Sequence, residues 1–168
     1  MTQDVMTPSQ TSGPLYGFAL IFEGSECMVE RGSPGAIQLT GLLSDGGGPV
    51  DYPDALLEVW QGDQWARSRT DEDGVFRFVV RKPAATPLPN GAMEAPYLNI
   101  SVFARGLLKQ AKTRMYFPDE EQANAGDPVL QLVSPQDRHT LIAKSEGDGL
   151  RFDICLQGEA ETVFFELQ

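Results

Sequence analysis

The chain has 168 residues, of which 41% are hydrophobic, enough for one domain with a sizeable core and too many for a disordered segment. Its formal net charge of −11 argues against a nucleic-acid binder, whose phosphate contacts need a basic face. No apolar run is long enough to span a bilayer, and the first dozen residues lack the basic start and apolar stretch of an export signal. The expectation is a cytoplasmic protein with no membrane or nucleic-acid partner. Its two cysteines, Cys27 and Cys155, are then free thiols, and its single histidine, His139, makes a zinc site improbable and reads as structural or surface.

Residues 7–14 (TPSQTSGP) are polar and rich in turn formers, so residues 1–14 are expected as an extended arm, which composition alone reads either as a frayed terminus or as a segment lying across a partner. Residues 15–22 alternate irregularly and could begin a strand, and residues 23–36 are broken by glycines and a proline into a loop. Residues 37–43, 55–61 and 75–80 alternate as strands, with a loop or brief hairpin at 62–70 and a turn at Asp71-Glu72-Asp73-Gly74. Residues 83–96 hold four prolines and Asn90-Gly91, which predicts a long surface loop. Leu98, Ile100, Val102 and Ala104 then alternate with polar or larger residues in the strand around which the chain is organised. Further strands are expected at 112–117, 150–157 and 162–167, with helical turns only at 119–124 and 135–144. About eight strands, long loops and one or two short helices predict an all-β, antiparallel β-sandwich in a single domain over residues 15–168.

Four stretches, TPSQTSGP, ALLEVWQ at 55–61, residues 95–128 (with FARG, TRMYFPDE and QANAGDP) and residues 150–167, resemble the intradiol ring-cleavage dioxygenases. The resemblance implies a β-sandwich and a non-haem ferric ion held by two tyrosines and two histidines. It places the first tyrosine in an insertion after ALLEVWQ, where this chain has only residues 62–69. The second falls in a Lys-Pro-x-x-Tyr-Pro loop, matched here by Lys82-Pro83-Ala84-Ala85-Thr86-Pro87, so Thr86 stands in its place. The two histidines of the organising strand are Tyr97 and Asn99. Ferric iron wants hard, anionic or imidazole donors, so no metal is expected in this chain.

In two-chain members of the family, homologous α and β chains pair and the β chain holds the iron at their boundary. The resemblance therefore implies an α subunit, whose Fe(III) is bound by a homologous β subunit, acting with it on an aromatic catechol and O2. Thr11, Gly13, Pro14 and Arg105 match positions that line this shared substrate pocket. Arginine suits that place, because its planar fork binds a carboxylate or offsets an anionic substrate. The family carries a tyrosine directly after this proline, whereas here Leu15 follows and Tyr16 comes one later. The alternative is a stand-alone, non-catalytic β-sandwich binding module that kept the fold and lost the chemistry.

Overall fold

Alternating side chains give each long strand one apolar face, and two such faces must cover each other. The computed structural model, which describes residues 10–11, 13, 19–51 and 53–166, shows how they do so. One sheet is built on β1 (Ala36–Ser44), paired antiparallel along its length with β4 (Val75–Arg81). The other runs in the order β3 (Gln64–Arg69), β2 (Ala55–Gln61), β7 (Tyr97–Ala104), β8 (Ala111–Tyr116), all antiparallel. Leu39, Leu43, Phe76, Phe78 and Val80 of the first sheet meet Leu57, Val59, Leu98, Ile100, Val102 and Met115 of the second in one buried core. The expected β-sandwich is the observed fold.

Three local features refine that expectation. The loop or hairpin at 62–70 is a hairpin, in which only Gly62 and Asp63 separate β2 from β3. Gly62 has φ +59°, the left-handed conformation that a tight turn opening on glycine requires. The predicted loop at 83–96 carries its own small ladder, β5 (Thr86–Pro87) against β6 (Met93–Glu94), and its last residues, Glu94 to Pro96, are buried. Residues 162–166 form no ladder, although Thr162 N donates to Cys155 O at 2.9 Å and Phe165 N donates to Lys112 O at 2.7 Å. Of the possible strand at 15–22, residues 15–18 lie outside the described residues, as does most of the arm, and 19–22 are not strand.

The expected strand at 150–157 breaks in two, and the cause is a close approach. β9 (Lys144–Glu146) pairs with β10 (Gly149–Arg151), and β10 and then β11 (Ile154–Cys155) run parallel to β1, making the first sheet mixed. Between β10 and β11, Phe152 N donates to Thr40 O at 2.8 Å, and the Asp153 carboxylate accepts from Leu42 N at 2.9 Å. The Phe152 carbonyl presses against Gly41, where a Cβ would stand 1.9 Å from its oxygen and 2.4 Å from the Phe76 ring.

Two short helices follow β8: α1 (Glu121–Gly126) and α2 (Pro128–Leu132). The second was not anticipated, yet Asp127-Pro128 is a strong start, with proline in the first turn and an aspartate capping Val129 N and Leu130 N. A 3-10 turn at Arg138–Leu141 replaces the expected helix over 135–144 and carries an exposed His139. Among the described residues, no helix is long and apolar enough to cross a membrane.

Because the Phe152 backbone cannot retreat without breaking the β1 pairing, Gly41→Ala is expected to cost roughly 3 kcal/mol, an overpacking penalty. Urea denaturation checks this, and an unchanged midpoint would contradict the packing described.

Candidate functional site

The outer face of the β2–β7 sheet carries Tyr97 and Asn99, two of the places that the family resemblance marks for iron ligands, and Thr86 stands in the separate β5–β6 ladder. Tyr97 begins β7 and is 7% exposed, covered by a second apolar cluster of Ala95, Tyr116, Leu130, Val133 and Leu141. Asn99, two residues on and therefore on the same face, is exposed, and its amide donates to Gln61 Oε1 at 3.3 Å. Thr86 lies opposite Glu94 in the β5–β6 ladder. Ferric iron needs several hard donors converging on one point. These three residues offer a hydroxyl, a phenol engaged with a neighbour and an amide turned to a glutamine, and they do not fit the ion. Among the described residues, no group of three or more His, Cys, Asp or Glu could hold a metal.

What stands beside Tyr97 is a polar network that the sequence did not disclose. Arg114, on the neighbouring strand, donates to Glu94 Oε1 at 2.6 Å, and its guanidinium lies 3.8 Å from the Tyr97 ring centroid. The Tyr97 hydroxyl donates to Glu94 Oε2 at 3.2 Å. Arg114 also reaches the Tyr116 hydroxyl at 3.4 Å, and that hydroxyl donates to Asp127 Oδ1 at 3.1 Å. Asp127 is wholly buried and also accepts from Ala95 N at 2.8 Å, so one carboxylate joins β8, α2 and the end of the 83–96 segment. Glu94 falls in a stretch expected as surface loop, and nothing in its local pattern marks it as buried.

Of the four residues expected at a shared pocket, the three described, Thr11, Gly13 and Arg105, lie at the opposite end of β7. Arg105 follows the strand directly. Its N–H donates to Asp54 O at 2.8 Å, and its guanidinium donates to Asp54 Oδ2 at 3.3 Å. The side chain is nonetheless 68% exposed, so this ion pair holds it only weakly. Gly106 N donates to Thr11 Oγ1 at 2.8 Å, which fixes the arm to the turn that carries Arg105. Thr11 and Gly13 line a cavity of about 340 Å³ with Phe103, Leu107, Leu108 and Lys109. The structure thus brings Thr11, Gly13 and the Arg105 turn together, while Pro14 lies outside the described residues. Asp54, which grips Arg105 twice, was not foreseen.

Burial pushes the Tyr97 hydroxyl above its ordinary pKa, partly opposed by the Arg114 charge, and burial pushes Tyr116 up as well. A phenol with a raised folded-state pKa keeps its proton after the unfolded chain has lost it at about pH 10. Its contribution to stability is therefore complete below pH 10 and lost as pH rises toward the folded value. In an ultraviolet titration, Tyr97 and Tyr116 are expected to ionise after ordinary phenols. The denaturation midpoint should fall from about pH 10 upward, and less steeply in Tyr97→Phe. Normal titration of both would contradict the network.

Compared with known proteins, the chain matches no family model. It is 40% identical over 193 positions to the protocatechuate 3,4-dioxygenase alpha chain of Pseudomonas putida, covering 95% of this chain and 96% of that one. It is 36% identical over 206 positions to the alpha chain of Burkholderia cepacia, covering 99% of this chain and all of that one. The beta chain from Burkholderia cepacia is 31% identical over 168 positions, covering 80% of this chain and 70% of that one. Among solved structures, the fold is similar to 3-chlorocatechol 1,2-dioxygenase from Rhodococcus opacus, with a TM-score of 0.58 at 22% identity over 76% of this chain and 63% of that one. The full-length likeness to two alpha chains, on a shared sandwich, shows that this chain belongs to the family of protocatechuate 3,4-dioxygenase alpha chains, within the intradiol ring-cleavage dioxygenases.

Proposed function

We propose that this chain is an α subunit that completes the active site of a homologous β subunit. The Fe(III) is held by that partner and not by this chain. The complex opens protocatechuate with O2 between its two hydroxyl-bearing carbons, giving 3-carboxy-cis,cis-muconate. One observation carries the reading: a full-length likeness to alpha chains in a protein whose places for iron ligands hold Thr86, Tyr97 and Asn99. The beta chain that also matches supplies the chemistry of the partner, a related sandwich able to pair with this one.

In this reading, residues 1–14 form an arm that reaches the partner, and residues 15–168 form the domain that bears it. Thr11, Gly13, Pro14 and Arg105 wall one side of the partner's pocket. Arg105 suits that role because its guanidinium projects from a turn held through two backbone N–H groups, Arg105 N donating to the Asp54 carbonyl and Gly106 N to the Thr11 hydroxyl. A fixed base with an exposed fork presents a defined positive charge to an anionic substrate. Asp54 steers the fork without burying it, so a substrate carboxylate can compete for the same donors. Free thiols at Cys27 and Cys155 accord with a reducing compartment such as the cytoplasm.

Co-expression of this chain with its β-type partner tests the proposal. Purification on a tag carried by this chain alone is expected to recover an active complex. Within it, Arg105→Ala should raise KM for protocatechuate by about 10- to 100-fold, the loss of one charge-assisted hydrogen bond. Turnover of unsubstituted catechol, which lacks the carboxylate, should change little. Equal effects on both substrates would remove Arg105 from carboxylate binding, and failure to recover the partner would overturn the subunit reading.

A further inference from the structure

The place where this chain and ferric iron disagree is not merely short of ligands, because it holds a charge of its own. Glu94 faces Thr86 across the β5–β6 ladder and lies three residues before Tyr97, so its carboxylate sits between two of the marked positions. Its side chain is 7% exposed, and that of Arg114 is 20% exposed. A carboxylate so deeply placed needs a cation or several hydrogen bonds to offset the water it has lost. Arg114 supplies the cation, and Tyr97 supplies both a hydrogen bond and a ring face for the guanidinium.

From this we infer that Arg114 is the chain's built-in replacement for a bound metal ion, tying β6, β7 and β8 together through Glu94 and shutting iron out of this subunit. A metal held at positions 86, 97 and 99 would cross-link the 83–96 segment to β7, and the ion pair makes that same link from within. It adds a tie to β8 and, through Tyr116 and Asp127, to α2. Guanidinium is a donor with no lone pair to offer, so it cannot join a coordination shell. Any cation drawn to Glu94 must instead displace a positive charge 2.6 Å from the carboxylate oxygen. The chain is thereby held in its fold without metal, and the αβ pair keeps a single iron. This inference rests on the reading of residues 86, 97 and 99 as the family's ligand places.

Terbium(III), a hard trivalent ion whose luminescence is excited through nearby tyrosines, probes the full-length chain. The wild-type chain is expected to show no saturable tyrosine-sensitised signal. Arg114→Gln exposes the Glu94 carboxylate beside the Tyr97 and Tyr116 hydroxyls, and it should bind terbium at least 10-fold more tightly and melt at higher temperature when the ion is present. Arg114→Lys keeps the charge, so it should bind no terbium and melt above Arg114→Gln measured without metal. The double variant Glu94→Gln with Arg114→Gln removes both charges and should recover much of the stability while binding no ion. Wild-type binding as tight as that of Arg114→Gln, or a folded Arg114→Gln that gains none, would overturn the inference. Should Arg114→Gln fail to fold even with terbium, an Arg114→Lys no more stable than it would overturn it too. Failure of the subunit reading shows separately, in the partner and substrate assays, which this titration does not involve.

Discussion

A buried carboxylate has to be answered by a positive charge, and in this chain the answer comes from a neighbouring strand. Glu94, Arg114 and the Tyr97 ring form a closed unit between the outer face of the larger antiparallel sheet and the segment that crosses it. Asp127 extends that unit to α2 through the Tyr116 hydroxyl and three backbone N–H groups. The apolar cluster of Ala95, Leu130, Val133 and Leu141 then closes over it. Without the ion pair, the 83–96 segment would keep the Ala95 N to Asp127 bond and the burial of Ala95, because its own two-residue ladder is internal to it and marginal alone. The cover of the sheet therefore depends on charge compensation as much as on apolar burial.

The two ends of β7 divide the work. At its start, Tyr97 is sealed and supports the fold. At its end, Arg105 is presented outward from a turn braced by Asp54 and by Thr11 of the arm. One strand thus runs from the places that the family resemblance marks for iron ligands to the arginine proposed to face a partner. The same geometry lets a chain whose described residues hold no cluster of three or more His, Cys, Asp or Glu able to bind a metal belong to a family of iron enzymes. Its backbone still sets the spacing between a closed site and an exposed arginine.

Much of the sandwich was legible because its long strands alternate: 55–61 and 75–80 read directly, as did the inward row of Leu98, Ile100, Val102 and Ala104. The break at Phe152-Asp153 was not legible, because the apolar alternation from Leu150 to Leu156 continues through it. What interrupts the ladder is the missing side chain of Gly41, more than a hundred residues away in sequence. The start of α2 could have been read from Asp127-Pro128, a capping pair lying within a stretch noticed for its family likeness. Thr11 and Arg105 were found through resemblance, and their link through Gly106 could come only from the fold. Glu94, Arg114 and Asp54 gave no local sign, since a charged residue in a loop or strand reads as solvated until its neighbours are known.

The central claim is that the charge at the former metal place is Arg114, and that iron resides with the partner. Anomalous diffraction at the iron edge, from crystals of this chain bound to its β-type partner, tests it most directly. The account predicts one iron peak per pair, within the partner chain, with the Arg114 guanidinium still seated against Glu94 and Tyr97. A second iron peak about 2 Å from the Tyr97 hydroxyl, with Arg114 swung away, would contradict it.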